Sequence, residues 1–350
     1  MYTVNIDEVI NDSSCLFVDL RSPAEFEKGT IHNAVNLPIL DNEERELIGT
    51  IYKQKSASEA KLVGIDKVSP KLDMMLNKII DYKSRYKKIV LFCSRGGYRS
   101  GPLVHLCNHM KIKVFQLKGG YKSYRKYTLN YFDNIHTFHK FIVLHGYTGV
   151  GKTIMLDKLE NEGFPCINLE EMAHNSGSVF GFIGQPIEKT TQKQFESLLL
   201  DKMIKNKSIY FFIESESQRI GGITIPTAIY NQMVKGFHVL IDTSHSNRVD
   251  NLIKEYADEM SKKNDDLIKA LNDLKQILGT DKIQKYKRKL LEGDYKSIVQ
   301  ELTINYYDPL YRHSLKKYSY DLNITYDTIE EALEQLRQFY KTKEGYLINE

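Results

Sequence analysis

At 350 residues the chain exceeds what a single hydrophobic core organises, so two domains, or one domain with a large appendage, are expected. Hydrophobic residues at 41% and charged residues at 27% fit a globular chain and not a disordered or membrane one, and no apolar run reaches the roughly 18 residues of a membrane-crossing helix. The opening Met1-Tyr-Thr-Val-Asn-Ile-Asp-Glu8 lacks the basic-then-apolar pattern of a secretory signal, which makes the cytoplasm the expected compartment.

In residues 1–130 short apolar runs alternate with amphipathic stretches. Cys15–Asp19, Lys88–Cys93 and Lys113–Leu117 read as strands, with a helical pattern between the first two, and the period predicts an α/β domain built on a parallel sheet. Residues 51–100 carry twelve lysines and arginines against four acids, an excess that attracts polyanions or simply solvates a face. Asn130–Lys140 is the expected junction. A second series starts at Phe141–His145, passes through a glycine-rich turn into a helix from Thr153 to Glu162, and continues with strands at Ser208–Ile213 and His238–Asp242, predicting an α/β domain over 138–246. From Asn247 the pattern is long, charged and helical, closing in Glu330–Phe339, so 247–350 is expected to be a mostly helical region packed on the second domain.

Four cysteines (Cys15, Cys93, Cys107, Cys166) without paired or metal-ligand spacing argue for reduced thiols and against a disulfide framework or structural zinc. Cys93 stands apart. It follows an apolar strand and begins Cys93-Ser94-Arg95-Gly96-Gly97-Tyr98-Arg99, after which Ser100–Leu106 reads as a helix. Helix N-termini and backbone N–H groups favour a thiolate and bind an anion, which makes Cys93 the candidate nucleophile, Ser94 to Tyr98 the candidate cradle and Arg99 a forked donor for phosphate-like oxygens.

The second cradle, Gly146-Tyr147-Thr148-Gly149-Val150-Gly151-Lys152-Thr153, matches the phosphate-loop spacing G-x-x-x-x-G-K-[ST] between a strand and a helix. Its backbone N–H groups are expected to wrap a diphosphate, with Lys152 on the terminal oxygens and Thr153 available to magnesium. Glu214, directly after an apolar strand, and Asp242 are the candidate acids that accompany such a loop. Nothing in this pattern requires the bound phosphate to belong to a nucleotide.

The run Val18-Asp-Leu-Arg-Ser-Pro-Ala-Glu-Phe-Glu-Lys-Gly-Thr-Ile-His-Asn-Ala-Val-Asn-Leu-Pro38, the Cys93 loop and Gly119-Gly120-Tyr121 together resemble a rhodanese (sulfurtransferase) domain. Arg99 lies six residues after the cysteine, one later than in the usual rhodanese loop. This C-x5-R spacing is that of tyrosine-type phosphatases and suits a tetrahedral phosphate or selenophosphate, so phosphatase chemistry stays open as a lesser reading. The shared order of rhodanese domain, phosphate loop, Ala173–Gly181, Gln194–Leu198, Ile213–Gly221 with Ile225-Pro226, and Asn305–Tyr311 resembles the bacterial tRNA 2-selenouridine synthase family end to end.

That resemblance implies a two-step modification of wobble 2-thiouridine in tRNA: S-geranylation from geranyl diphosphate, then replacement of the geranylated sulfur by selenium from selenophosphate. It implies both compounds as co-substrates and no tightly bound organic cofactor. Cys93 would carry selenium as a perselenide or assist its transfer, Arg95 and Arg99 would hold selenophosphate, and the Lys152 loop would take the diphosphate. Lys118–Tyr127 and Gln284–Lys289 interleave tyrosines with cations, as suits phosphate contact and base stacking. Two other readings stand beside this one: a persulfide sulfurtransferase fused to a phosphate-loop NTPase or kinase, and a non-catalytic RNA-binding protein with vestigial cradles.

Overall fold

The computed structural model describes residues 2–174, 190–260 and 264–347. Contacts along the backbone divide the chain into two units, residues 1–132 with 191–205 and residues 133–190 with 206–350.

In the first unit five parallel strands lie in the order Thr3–Val4, Phe115–Leu117, Lys88–Phe92, Cys15–Asp19, Val35–Asn36. Ile89 to Phe92 are all buried, the pattern of a central parallel strand covered on both faces. One face packs Leu16, Val18, Ile89 and Leu91 against Leu103, Val104 and Cys107 of helix Ser100–His109 and against Met75 and Ile79 of helix Leu72–Arg85. Cys93 follows the central strand at its carboxyl end, the edge at which open α/β sheets bind ligands.

The expected boundaries place residues 192–205 in the second domain, but helix Gln192–Lys205 belongs to the first unit. The reason lies in buried polar groups: the hydroxyl of Tyr124, a fully buried side chain, bonds Ser197 Oγ at 2.6 Å, and Ser197 Oγ donates to the carbonyl of Thr30 at 2.8 Å. Arg125 pairs with Glu196 beside them. A buried hydroxyl without a partner is costly, so the helix completes this unit as much by satisfying Tyr124 as by burying apolar surface.

The second unit holds another five-stranded parallel sheet, in the order Leu322–Tyr326, Phe237–Thr243, Lys140–His145, Tyr210–Glu214, Cys166–Ile167. A short antiparallel pair, Arg219–Ile220 with Ile223–Thr224, stands apart from it. Ile142, Leu144, Phe212, Val239 and Ile241 pack against Met155 and Leu159 of helix Lys152–Asn161 and Leu333 and Leu336 of helix Ile329–Leu347. The C-terminal region is mostly helical, with its own core of Leu252, Leu267, Leu271, Ile283, Tyr286, Ile298, Leu302 and Tyr307. It also returns strand Leu322–Tyr326 to the sheet edge, a five-residue element with Ile324 and Tyr326 buried and Asn323 and Thr325 exposed. So brief an alternation is masked by the helical pattern on either side.

Candidate active site

The thiol cradle is built by short-range contacts at the end of the central strand. Cys93 is 3% exposed, and its Sγ lies 3.2 Å from Ser100 Oγ on the first residue of the following helix. Gln116 Nε2 donates to Ser100 Oγ at 2.9 Å and to the Gly96 carbonyl at 3.0 Å. Either the thiol or the Ser100 hydroxyl can donate in this contact while Cys93 is protonated; once it is a thiolate, Ser100 Oγ, which accepts from Gln116, is the donor. Burial pushes the Cys93 thiol up, yet the Ser100 hydroxyl, the backbone N–H groups of Ser100 and Gly97 and the Arg99 charge together hold it below the ordinary thiol value. Burial alone does the opposite elsewhere: it pushes Cys107 up to about 11 and, with the nearby Asp12, Cys15 up to about 12. Of these three thiols only Cys93 is tuned toward a nucleophile.

The loop is pinned from behind. Tyr121 N donates to the Cys93 carbonyl at 2.8 Å and Lys122 N to that of Ser94 at 3.0 Å. Gly120 has φ +59°, and a Cβ there would stand 2.2 Å from the Cys93 carbonyl oxygen, so this glycine permits the close approach. Arg99 forks onto Glu25, at 2.5 and 3.2 Å, and Arg45 approaches the same carboxylate at 3.4 Å. Although Glu25 is half-buried, which raises its pKa, Arg99 and Arg45 draw it below the usual carboxylate value. An entering anion therefore competes with Glu25 for Arg99. Arg95 is exposed, and the ring of Tyr98 is 69% exposed with Lys61 Nζ 4.6 Å from its centroid, so among the candidate cradle residues Tyr98 offers its backbone and not its ring. The signature around residue 18 is scaffolding: buried Asp19 pairs with Arg21 at 2.5 Å and accepts from Thr30 Oγ1 at 2.8 Å.

The phosphate loop, Gly146 to Gly151, connects strand Lys140–His145 to helix Lys152–Asn161. Lys152 is the first helical residue and its Nζ donates to the Gly146 carbonyl at 3.1 Å, while half-buried Thr153 follows it. Glu214 ends the adjacent strand opposite Leu144, is 1% exposed and accepts from Glu170 N at 2.7 Å. Burial and then the Glu170 charge push Glu214 up to about 8, and Glu216 rises for the same reasons with Glu214 adding its repulsion. Lys152 opposes both shifts, so three glutamates and one lysine share this space. Asp242 is exposed and its carboxylate accepts from the next residue, Thr243 N, at 2.9 Å. The two candidate acids are thus unequal: Glu214 is buried in the field of Lys152, and Asp242 faces solvent.

Sequence pattern alone gave no role to Ser100, Gln116 and Glu25 at the thiol, or to Glu170, Glu216 and Tyr311 at the phosphate loop, although Ser100, Glu25, Glu216 and Tyr311 lie within the motif stretches it picked out. The Lys152 ammonium lies 5.9 Å from the Tyr311 ring centroid, and the glutamates raise the Tyr311 phenol after burial does. The expectation of stacking tyrosines is corrected for three of the four in these stretches: Tyr121, Tyr124 and Tyr286 are buried in core positions, Tyr127 is half-buried, and Lys118, Lys122, Lys126 and Arg288 are exposed. Tyrosines three residues apart on an amphipathic helix fall on its inward face. Of the motif block Ala173–Gly181, residues 175–181 lie outside the described residues.

Comparisons with known proteins divide the chain between residues 127 and 139. A family profile for the rhodanese-like domain matches residues 5–127, and one described as the tRNA 2-selenouridine synthase AAA domain matches residues 139–343. A protein of Nitrosomonas eutropha named tRNA 2-selenouridine synthase is 33% identical over 244 residues, which span 68% of this chain and 62% of that relative. The protein of the same name from Nitrosomonas europaea is 32% identical over 72% of this chain and 68% of its own length. The one from Hydrogenovibrio crunogenus is 28% identical over 91% and 94%. With a rhodanese-like unit ahead of that family's phosphate-loop domain, the chain belongs to the tRNA 2-selenouridine synthase family.

Proposed function

We propose that the protein converts wobble 2-thiouridine of tRNA to 2-selenouridine through an S-geranylated intermediate. The observation that carries this reading is the tuned thiol of Cys93 at the head of a C-x5-R loop, within a chain whose relatives bear the name of that synthase.

In the first step the C2 sulfur of the base attacks C1 of geranyl diphosphate, the carbon–oxygen bond breaks, and the base loses its N3 proton. The diphosphate leaves into the Lys152 loop, where N–H groups and the ammonium stabilise the charge that develops on it. Magnesium, where bound, would be held by Thr153, diphosphate oxygens and water, with Glu214 the nearby carboxylate. In the second step selenide attacks C2, and geranyl thiolate leaves and takes a proton.

The oxidation level of selenophosphate assigns Cys93 its part. Selenium there is already at the selenide level, and forming a perselenide would require an oxidant. The balanced route has the Cys93 thiolate attack phosphorus: the phosphorus–selenium bond breaks, selenide is freed, and water then hydrolyses the phosphocysteine to phosphate and thiol. Arg99, released from Glu25, holds the phosphoryl oxygens as a fork. The test is mass spectrometry of tRNA nucleosides after incubation with 2-thiouridine tRNA, geranyl diphosphate and selenophosphate. Cys93→Ser should accumulate the geranylated nucleoside without the selenated one, whereas Lys152→Ala should lower geranylation itself. Normal selenation by Cys93→Ser would end the proposal for the thiol.

A further inference from the structure

A phosphate loop can turn its N–H groups onto an anion only if its carbonyls turn the other way, and carbonyls turned into protein need donors. Here three consecutive carbonyls receive them from side chains far along the chain. Arg248 Nε donates to the Thr148 carbonyl at 2.9 Å, Asn251 Nδ2 to that of Gly149 at 3.0 Å, and Tyr326 Oη to that of Val150 at 3.1 Å. All three side chains are buried. Arg248 and Asn251 are three residues apart on helix His245–Met260 and so share one face, and Asn251 Nδ2 also donates to Tyr326 Oη at 3.1 Å. Arg248 is itself fixed, its two terminal nitrogens forking onto Asp308 at 3.1 and 2.5 Å. The helix touches the loop backbone: a Cβ at Gly149, whose φ is +84°, would lie 2.6 Å from the Arg248 carbonyl oxygen.

We infer that Arg248, Asn251 and Tyr326 are positioning residues that hold the phosphate loop in its anion-binding form before any ligand arrives, with Asp308 orienting Arg248. Their donors fix the peptide planes of residues 148 to 150, so the loop's N–H groups need no reorganisation when a diphosphate enters, and the affinity lost to ordering is small. The loop's conformation is thereby set by the C-terminal region before any ligand enters. This inference rests on the reading of the loop as a diphosphate site.

Two measurements on the full chain test it. The first is calorimetric binding of inorganic pyrophosphate. Arg248→Ala should weaken it at least tenfold, Arg248→Lys less, and Tyr326→Phe, which removes only a hydroxyl, about threefold. Asp308→Asn should weaken binding in the native background and add nothing in Arg248→Ala. The second is amide hydrogen exchange of the peptide covering residues 146–151, which should accelerate in Arg248→Ala and Tyr326→Phe with or without pyrophosphate. If the unaltered protein fails to bind pyrophosphate, the diphosphate reading falls while the exchange experiment still decides the clamp. Unchanged exchange in Tyr326→Phe together with unchanged affinity in Tyr326→Phe and Asp308→Asn, the variants least disposed to misfold, would overturn the inference.

Discussion

Replacing Ser100 by alanine removes one hydroxyl from the thiol cradle and leaves the backbone donors and Arg99 in place. A hydrogen bond to a charged acceptor contributes about 1.5–3 kcal/mol, and one pK unit corresponds to about 1.4 kcal/mol. Ser100→Ala should therefore raise the Cys93 midpoint by about one to two units. The sign follows from which form the bond stabilises: the hydroxyl donates to thiolate, so its loss favours the thiol and reduces the thiolate fraction at neutral pH. Thiolate absorbance near 240 nm, taken as the difference from Cys93→Ser across a pH series, reads this midpoint without asking a reagent to reach a 3% exposed sulfur. Gln116→Leu should produce a smaller rise, because Ser100 keeps its hydroxyl but loses the donor that directs it. Ser100→Thr should restore the native value. An equal midpoint in Ser100→Ala and the unaltered protein would refute the assignment of Ser100. A native midpoint at or above that of an unfolded thiol would refute the larger claim that the cradle overcomes burial.

Two further outcomes concern the remaining buried polar groups. Glu214 has a folded-state pKa of about 8, raised by burial and the Glu170 charge, so its protonated form is the one that favours folding. That contribution is complete below the unfolded carboxylate pKa and is lost as pH rises toward 8. Melting temperatures of ligand-free Glu214→Gln and native protein should thus diverge from pH 5 to pH 8, with the glutamine variant gaining at least about 3 °C; a constant difference would contradict the assignment. Tyr124→Phe removes the 2.6 Å bond to Ser197 and should cost about 1 kcal/mol in denaturant unfolding while leaving the Cys93 titration unchanged; no loss of stability would mean that the Tyr124 hydroxyl does not help to hold helix Gln192–Lys205.

Both cradles are legible in the sequence because each is local: strand, glycine-rich turn and helix start fall within a dozen residues, and Cys93 and Lys152 sit where those turns put them. What supports the cradles is not local. Glu25 reaches Arg99 across 74 positions, Arg248 reaches Thr148 across 100, and Tyr326 reaches Val150 across 176. A buried arginine in a charged helical stretch reads as one more surface cation until its partners are seen. The tyrosines of residues 121–127 mislead for the opposite reason: composition suggested a stacking surface, whereas helical period had already assigned Tyr121 and Tyr124 to the interior. Helix Gln192–Lys205 has an apolar face that any core could bury, and polar pairings such as Tyr124 with Ser197, Ser197 with the Thr30 carbonyl and Arg125 with Glu196 specify which.

The membership of that helix bears on how the protein is made. The polypeptide crosses between its two units three times, after residues 132, 190 and 205. Synthesis proceeds from the N-terminus, and domains generally fold as they emerge. The unit that carries Cys93 cannot close around Tyr124 until Lys205 has been translated, by which time the entire Lys152 loop is already out. An N-terminal fragment ending near residue 132 would leave the buried Tyr124 hydroxyl without Ser197, so the unit that carries Cys93 should be less stable as a separately expressed domain than within the full chain.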